Sequence, residues 1–219
     1  MTKSSGTILA GERRPEGRGA RTTLRKRLLL GMLLASVAAV PALAALNVGD
    51  AAPDFKTEAS LAGKEFTFSL KDALKKGPVV VYFYPSAYTG GCNIQAHTFA
   101  VNIDKFHAAG ATVIGVSLDN IQRLKDFSAD PQYCAGKFPT ASDADGAISK
   151  SYALKVADAH AGAKDTRGVE IGHGFAERTT FIVTPDGKIS ATIGGLAPAD
   201  NVDKALEAVQ QLKTGKKGA

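Results

Sequence analysis

The spacing of hydrophobic positions switches abruptly on either side of residue 85, and that switch predicts the central elements of the chain. Val79-Val80-Val81-Tyr82-Phe83-Tyr84 is an unbroken apolar run of β-branched and aromatic residues, the composition of a strand buried on both faces of a sheet. Pro85 stops it, and Gly90-Gly91 loosens the backbone. Beyond Cys92, the residues Ala96, Phe99, Ile103 and Phe106 recur at spacings of three and four, which predicts an amphipathic helix with one apolar stripe. Gly110 ends that helix. Ala111-Thr112-Val113-Ile114-Gly115-Val116-Ser117-Leu118 then reads as a second strand. Strand, helix and strand with short connections make a βαβ unit with parallel strands.

The flanking segments are weaker. Residues 47–69 read as short strands and turns leading into a helical piece over 70–76, closed by Gly77-Pro78. Asp119 or Asn120 can cap a helix running to about Phe127. Residues 128–142, which include Cys134, have the Pro, Gly and Asp content of a loop. A short helix is expected over 146–154, and the polar, small-residue stretch 156–174 is expected to be an exposed loop. Residues 179–183 and 188–193 flank the turn Thr184-Pro185-Asp186-Gly187 and predict a hairpin. Asp200 or Asn201 can cap a last helix with the stripe Val202, Leu206, Val209 and Leu212. There is no internal repeat. The pattern predicts an α/β fold of the thioredoxin-like type: a central mixed β-sheet flanked by helices, with an antiparallel hairpin at one end.

Length and charge refine this picture. The 219 residues suit one domain plus a leader. The formal net charge of +6 lies wholly in residues 1–44, with eight Lys/Arg against two Asp/Glu, whereas 45–219 balance at nineteen of each. No basic patch for nucleic acid is implied. Arg21, Arg25, Lys26 and Arg27 precede a thirteen-residue apolar run over 28–40, and Ala42-Leu43-Ala44 has the small-x-small form of a cleavage site. This is the pattern of a secretory signal peptide. The expectation is a leader over 1–44, a domain over 45–219, and export, periplasmic in a bacterial cell. The alternative is an uncleaved membrane anchor, because apolar character continues to Leu46.

Cys92 falls where the first strand hands over to the helix. Unpaired amides and the positive end of the helix dipole favour an anion at that address, which makes Cys92 a candidate thiolate. Cys92 and Cys134 are the only cysteines, and an even count in an exported chain is also the mark of a structural disulfide. The four histidines have no metal-ligand spacing and read as structural or solvated. No phosphate loop or dinucleotide fingerprint is present, so no cofactor or metal is implied.

Pro85, Thr89 and Cys92 stand at the spacing Pro-x-x-x-Thr-x-x-Cys, which resembles the active-site signature of the peroxiredoxins, the thiol-dependent peroxidases. Gly49-Asp50-Ala51-Ala52-Pro53-Asp54-Phe55 resembles that family's opening, and Arg178 in Glu177-Arg178-Thr179-Thr180-Phe181 resembles its arginine at a strand start. The resemblance covers residues 47–213 and is nearest to the bacterioferritin-comigratory or PrxQ branch. Two positions depart from that branch: Gln95 stands where glutamate is common, and His97 where many members carry a second cysteine.

The resemblance implies a peroxidase that reduces hydrogen peroxide and organic hydroperoxides. Cys92 would be the peroxidatic residue passing through a sulfenic acid. Arg178, the Thr89 hydroxyl and the amides of Gly90-Gly91-Cys92 would stabilise the transition state, and Pro85 would shield the site. Cys134 would resolve Cys92 in an intramolecular Cys92–Cys134 disulfide, opened by a thiol reductant such as a thioredoxin-like protein. Its partners would be the hydroperoxide and that reductant, without nucleic acid or stable membrane insertion, in a monomer or homodimer. Two other classes remain at this point. A thioredoxin-like thiol–disulfide oxidoreductase of the cell envelope would need Cys-x-x-Cys where this chain has Thr89-Gly90-Gly91-Cys92. A non-catalytic exported module would keep the fold and a structural disulfide.

Overall fold

The computed structural model describes residues 45–215; the leader expected over 1–44 lies outside them. The first strand of the sequence reading forms as β3 (Val79–Phe83), all five of whose residues are buried. Val80 and Tyr82 point into one apolar cluster, Val79, Val81 and Phe83 into another, so a strand without polar alternation is what a two-faced position requires. Each such side chain contributes roughly 1.5–3 kcal/mol by leaving water. The helix after it is α2 (Gly90–Ala108), and β4 (Thr112–Ser117) returns parallel to β3. This is the predicted βαβ unit.

Among the described residues the central sheet has seven strands. β1 (Lys56–Leu61) and β2 (Lys64–Ser69) pair as a hairpin at one edge; β8 (Thr179–Val183) and β9 (Ile189–Gly194) pair at the other. The order is β2-β1-β5-β4-β3-β8-β9, with β3 parallel to β4 and antiparallel to β8. The sheet is therefore mixed. α2, α3 (Ile121–Ala129) and α5 (Pro198–Lys213) cover the face of Val80 and Tyr82. α1 (Leu70–Leu74), with residues around α4 (Ala147–Ser151), covers the other.

Three local expectations are corrected, and the choice between the two caps offered for α3 is decided. Residues 128–142 are not loop throughout, because β5 (Thr140–Ser142) joins β1 to β4. Three residues are too few to show a period. The stretch 156–174 is not simply exposed: β6 (Val156–Ala157) pairs with β7 (Phe175–Ala176), and Asp165 and Ile171 are buried between them in sequence. The cap of α3 is Asn120, whose side chain accepts from the Arg123 amide, leaving Asp119 for another task. α5 is preceded by Ala197 with Pro198 in its first turn, so neither Asp200 nor Asn201 caps it; Asn201 is buried among polar side chains.

Candidate active site

The antiparallel register sets Phe83 opposite Thr179. The end of β3 and the start of β8 therefore lie side by side, and Arg178, one residue before β8, projects beside the turn that follows Pro85. Thr89 precedes α2 in an extended conformation, and Cys92 sits in the first turn of that helix, buried. Nη2 of Arg178 lies 3.4 Å from Cys92 Sγ. Gly91 makes this approach feasible, since a Cβ there would stand 3.1 Å from Nη2 and 3.3 Å from Cγ of Pro198. The amides of Gly90, Gly91 and Cys92 have no carbonyl within the helix to bond. The sulfur thus meets one guanidinium and the positive end of a helix nineteen residues long.

Gln95 is fully buried one turn on. Its side-chain oxygen accepts from Nη1 of Arg178, and its amide donates to Oδ1 of Asn201 at 3.0 Å. Asn201 Oδ1 also accepts from the Thr180 hydroxyl at 2.6 Å, and its amide donates to the Ile193 carbonyl at 3.0 Å. This chain of neutral groups fixes the arginine without competing for its charge. The glutamate position of the resembled branch is thus occupied by an amide that still grips Arg178.

Thr89 makes no capping bond; its hydroxyl donates to the Ser86 carbonyl at 2.8 Å. The turn before it is unusually fixed. Pro85 is half-buried, while Ser86, Ala87 and Tyr88 are buried. Tyr88 is left-handed at φ 61, a conformation costing roughly 1–2 kcal/mol for a residue with a side chain. Its carbonyl accepts from the Thr166 amide at 3.0 Å and hydroxyl at 2.8 Å. Its ring lies 5.0 Å from that of Phe127 and 5.6 Å from that of Tyr133, with the Arg167 guanidinium over it at 3.2 Å. The segment read as exposed is therefore a strap across the active-site turn.

Cys92 and Cys134 are both free thiols, both buried, and both part of the apolar cluster under α2. Cys134 lies in the predicted loop, packed to zero exposure. Burial, with Asp130 adding to it, pushes its thiol well above the ordinary cysteine range.

The structure adds residues that the sequence did not single out. Asp119, just past β4, is a fully buried carboxylate bonded to Ser86, Ala87, Ser117 and His173. Arg123 and Asp165 pair beside it at 2.8 Å. A signal for Asp119 was present: like Cys92, it follows the C-terminal end of a parallel strand, where open α/β sheets place their sites. His173 and Asp165 carried none.

The AhpC/TSA family profile matches residues 48–192. The chain belongs to the AhpC/TSA family, and it is a peroxiredoxin. The putative peroxiredoxin YkuU of Bacillus subtilis is 30% identical over 175 residues, 77% of this chain and 89% of its own. Peroxiredoxin Bcp of Xanthomonas campestris is 28% identical over 132 residues, covering 60% of this chain and 76% of its own. Among solved structures, peroxidoxin BcpB from Mycobacterium tuberculosis is 26% identical with a TM-score of 0.63, covering 76% of this chain and 98% of its own. Xanthomonas campestris peroxiredoxin Q is 28% identical with a TM-score of 0.57, covering 71% and 90%. As a peroxiredoxin the chain is a thiol peroxidase.

Proposed function

We propose that the chain reduces hydrogen peroxide and organic hydroperoxides through Cys92, and that Cys134 then resolves the oxidised residue within the same chain. The observation that carries this reading is the Arg178 guanidinium 3.4 Å from the sulfur at the start of α2. The Cys92 thiolate attacks one peroxide oxygen. The S–O bond forms as O–O breaks, sulfur becomes a sulfenic acid, and the second oxygen leaves with the electron pair and takes up a proton. Donors aimed at that developing charge contribute about 3–4 kcal/mol each, and Arg178 and the amides of the first helical turn fill this part. The Thr89 proton is committed to Ser86, so its lone pairs serve as acceptor for the peroxide hydrogen and orient the substrate. Pro85 screens the site from water.

In the second step the Cys134 sulfur displaces the oxygen of the Cys92 sulfenic acid. The S–S bond forms, and water leaves with the thiol proton. Because Cys134 is buried with its thiol pushed upward, residues 92–95 and the loop around Cys134 open locally to bring the two sulfurs together before the bond closes. A dithiol reductant of the thioredoxin-like type then restores both thiols and is itself oxidised. In this reading the mature chain starts near Ala45 and works in an exported compartment.

Peptide mapping of peroxide-treated protein under non-reducing conditions tests the cycle. A Cys92–Cys134 peptide in monomeric protein is expected, with sulfinic acid accumulating faster in Cys134→Ser than in the wild type. Equal over-oxidation of the two proteins, or Cys92–Cys92 dimers alone, would remove Cys134 from the cycle.

A further inference from the structure

Thr89 can orient a peroxide only if the turn that bonds its hydroxyl is itself fixed, and the bonds that fix it converge on one carboxylate. Asp119 Oδ1 accepts from Ser86 Oγ at 2.9 Å and from His173 Nε2 at 2.8 Å. Its Oδ2 accepts from the Ala87 amide and from Ser117 Oγ, each at 2.7 Å. Arg123 Nε stands 2.9 Å from Oδ1, but its N–H is not aimed at it, so that pair is electrostatic. Arg123 spends Nη2 instead on the Ala87 carbonyl at 2.9 Å and on Asp165 at 2.8 Å. Ser86 and Ala87 are thus held on both sides, and the Ser86 carbonyl passes that placement to Thr89 at 2.8 Å.

We propose that Asp119 is a positioning residue for peroxide reduction, with a protonated His173 keeping its carboxylate aimed at the active-site turn. The proposal rests on Cys92 being the peroxidatic residue. The histidine geometry identifies its charge state. Nδ1 faces the Gly174 carbonyl at 2.7 Å and Nε2 faces the Asp119 carboxylate at 2.8 Å. Both partners are acceptors, so both ring nitrogens must donate, which only the imidazolium does. Burial opposes that charge, but the bond and charge of Asp119 outweigh it and raise the histidine above its ordinary value, while the like charge of Arg123 opposes. On Asp119 burial likewise opposes ionisation, and the His173 bond leads the interactions that bring it below the usual carboxylate range. Among the described residues the charged groups acting on His173 are Asp119 and Arg123; Ser86 Oγ lies at 3.5 Å and the Phe175 ring at 6.0 Å. When the imidazolium loses its proton, one of its two bonds is lost. Either Asp119 then loses a donor or the strap comes free at Gly174.

The test is single-turnover oxidation of the reduced full chain by hydrogen peroxide, for wild type, Asp119→Asn, His173→Ala and His173→Gln. Iodoacetamide alkylation of Cys92 in the same samples measures its availability as a nucleophile. Asp119→Asn is expected to lower the peroxide rate constant roughly ten- to hundredfold, the scale of an ångström misplacement, with alkylation within about twofold of wild type. The ratio of the wild-type to the His173→Ala rate constant is expected to fall as pH rises from about 6 to about 9, since both proteins share the Cys92 ionisation. His173→Gln, which keeps one donor, should recover part of the loss. An Asp119→Asn rate within about twofold of wild type, or a pH-independent ratio, overturns the proposal. Should Asp119→Asn not fold, Ser86→Ala takes its place, with a loss of at least about threefold expected and none overturning it. Cys92→Ser separates the two readings: if it still consumes peroxide, the reading of Cys92 fails, whereas an inactive Cys92→Ser beside a normal Asp119→Asn defeats the positioning role alone.

Discussion

Gln95 holds Arg178 by its side-chain oxygen while the other terminal nitrogen of the same guanidinium reaches the sulfur of Cys92. The arginine is thereby aimed by a neutral group whose own amide is tied to Asn201. Arg178→Ala should lower the second-order rate constant with peroxide roughly a hundredfold, the usual loss for one such donor. Stopped-flow competition with a haem peroxidase would measure it.

Gln95→Glu should separate activity from stability. A carboxylate still grips Arg178, so the peroxide rate is expected to stay within a few-fold of wild type. Toward Asn201, however, it presents an acceptor to an oxygen already occupied by Thr180. That mismatch in a fully buried site should cost about 1–3 kcal/mol, read as a lower urea midpoint with unchanged slope.

Gly115 admits no side chain. A Cβ there would lie 2.6 Å from both Cζ and Oη of Tyr82. That ring is wedged between those of Tyr84, 5.3 Å away, and Phe99, 4.5 Å away. Gly115→Ala should destabilise by about 1–3 kcal/mol, lowering Tm by roughly 2–12 °C in calorimetry. An unchanged Tm would show that the tyrosine can move.

The His173–Asp119 pair also predicts a pH dependence of stability. His173 is raised in the folded state, so its contribution is complete below the ordinary histidine value of about 6.5 and is lost as pH rises through the folded one. Asp119 is lowered, so its contribution is complete above about 3.9 and is lost as pH falls through its folded value. The pair is therefore worth most between roughly pH 4 and 6.5. Urea unfolding should show the stability difference between wild type and His173→Ala shrinking as pH rises above that window. A constant difference would contradict the assignment.

Much of this site was legible in the sequence because its parts follow from strong local signals. The six apolar residues before Pro85 have the composition and length of a two-faced strand, and the spacing of three and four after Cys92 is that of a helix, which places the cysteine at their junction. Arg178 was reachable only through the family resemblance of its strand-start context; taken alone it reads as a surface salt-bridge residue. What escaped depends on contacts distant in sequence. Asp165, Thr166 and Arg167 lie in a polar stretch with no period, and only folding sets them against Tyr88 and Arg123. β5 has three residues, too few for a pattern. Asp119 and Asn201 looked like helix caps because such residues often are, whereas burial gave both to side-chain networks.

In the proposed mechanism Cys92 is the sulfur that peroxide oxidises. Treating the reduced Cys134→Ser chain with one equivalent of hydrogen peroxide in the presence of dimedone, a trap for sulfenic acids, and mapping the product by mass spectrometry decides this. A dimedone adduct on Cys92 is expected, and none when Arg178→Ala protein is quenched at an equally short time. Peroxide consumed while Cys92 stays an unmodified thiol would contradict it.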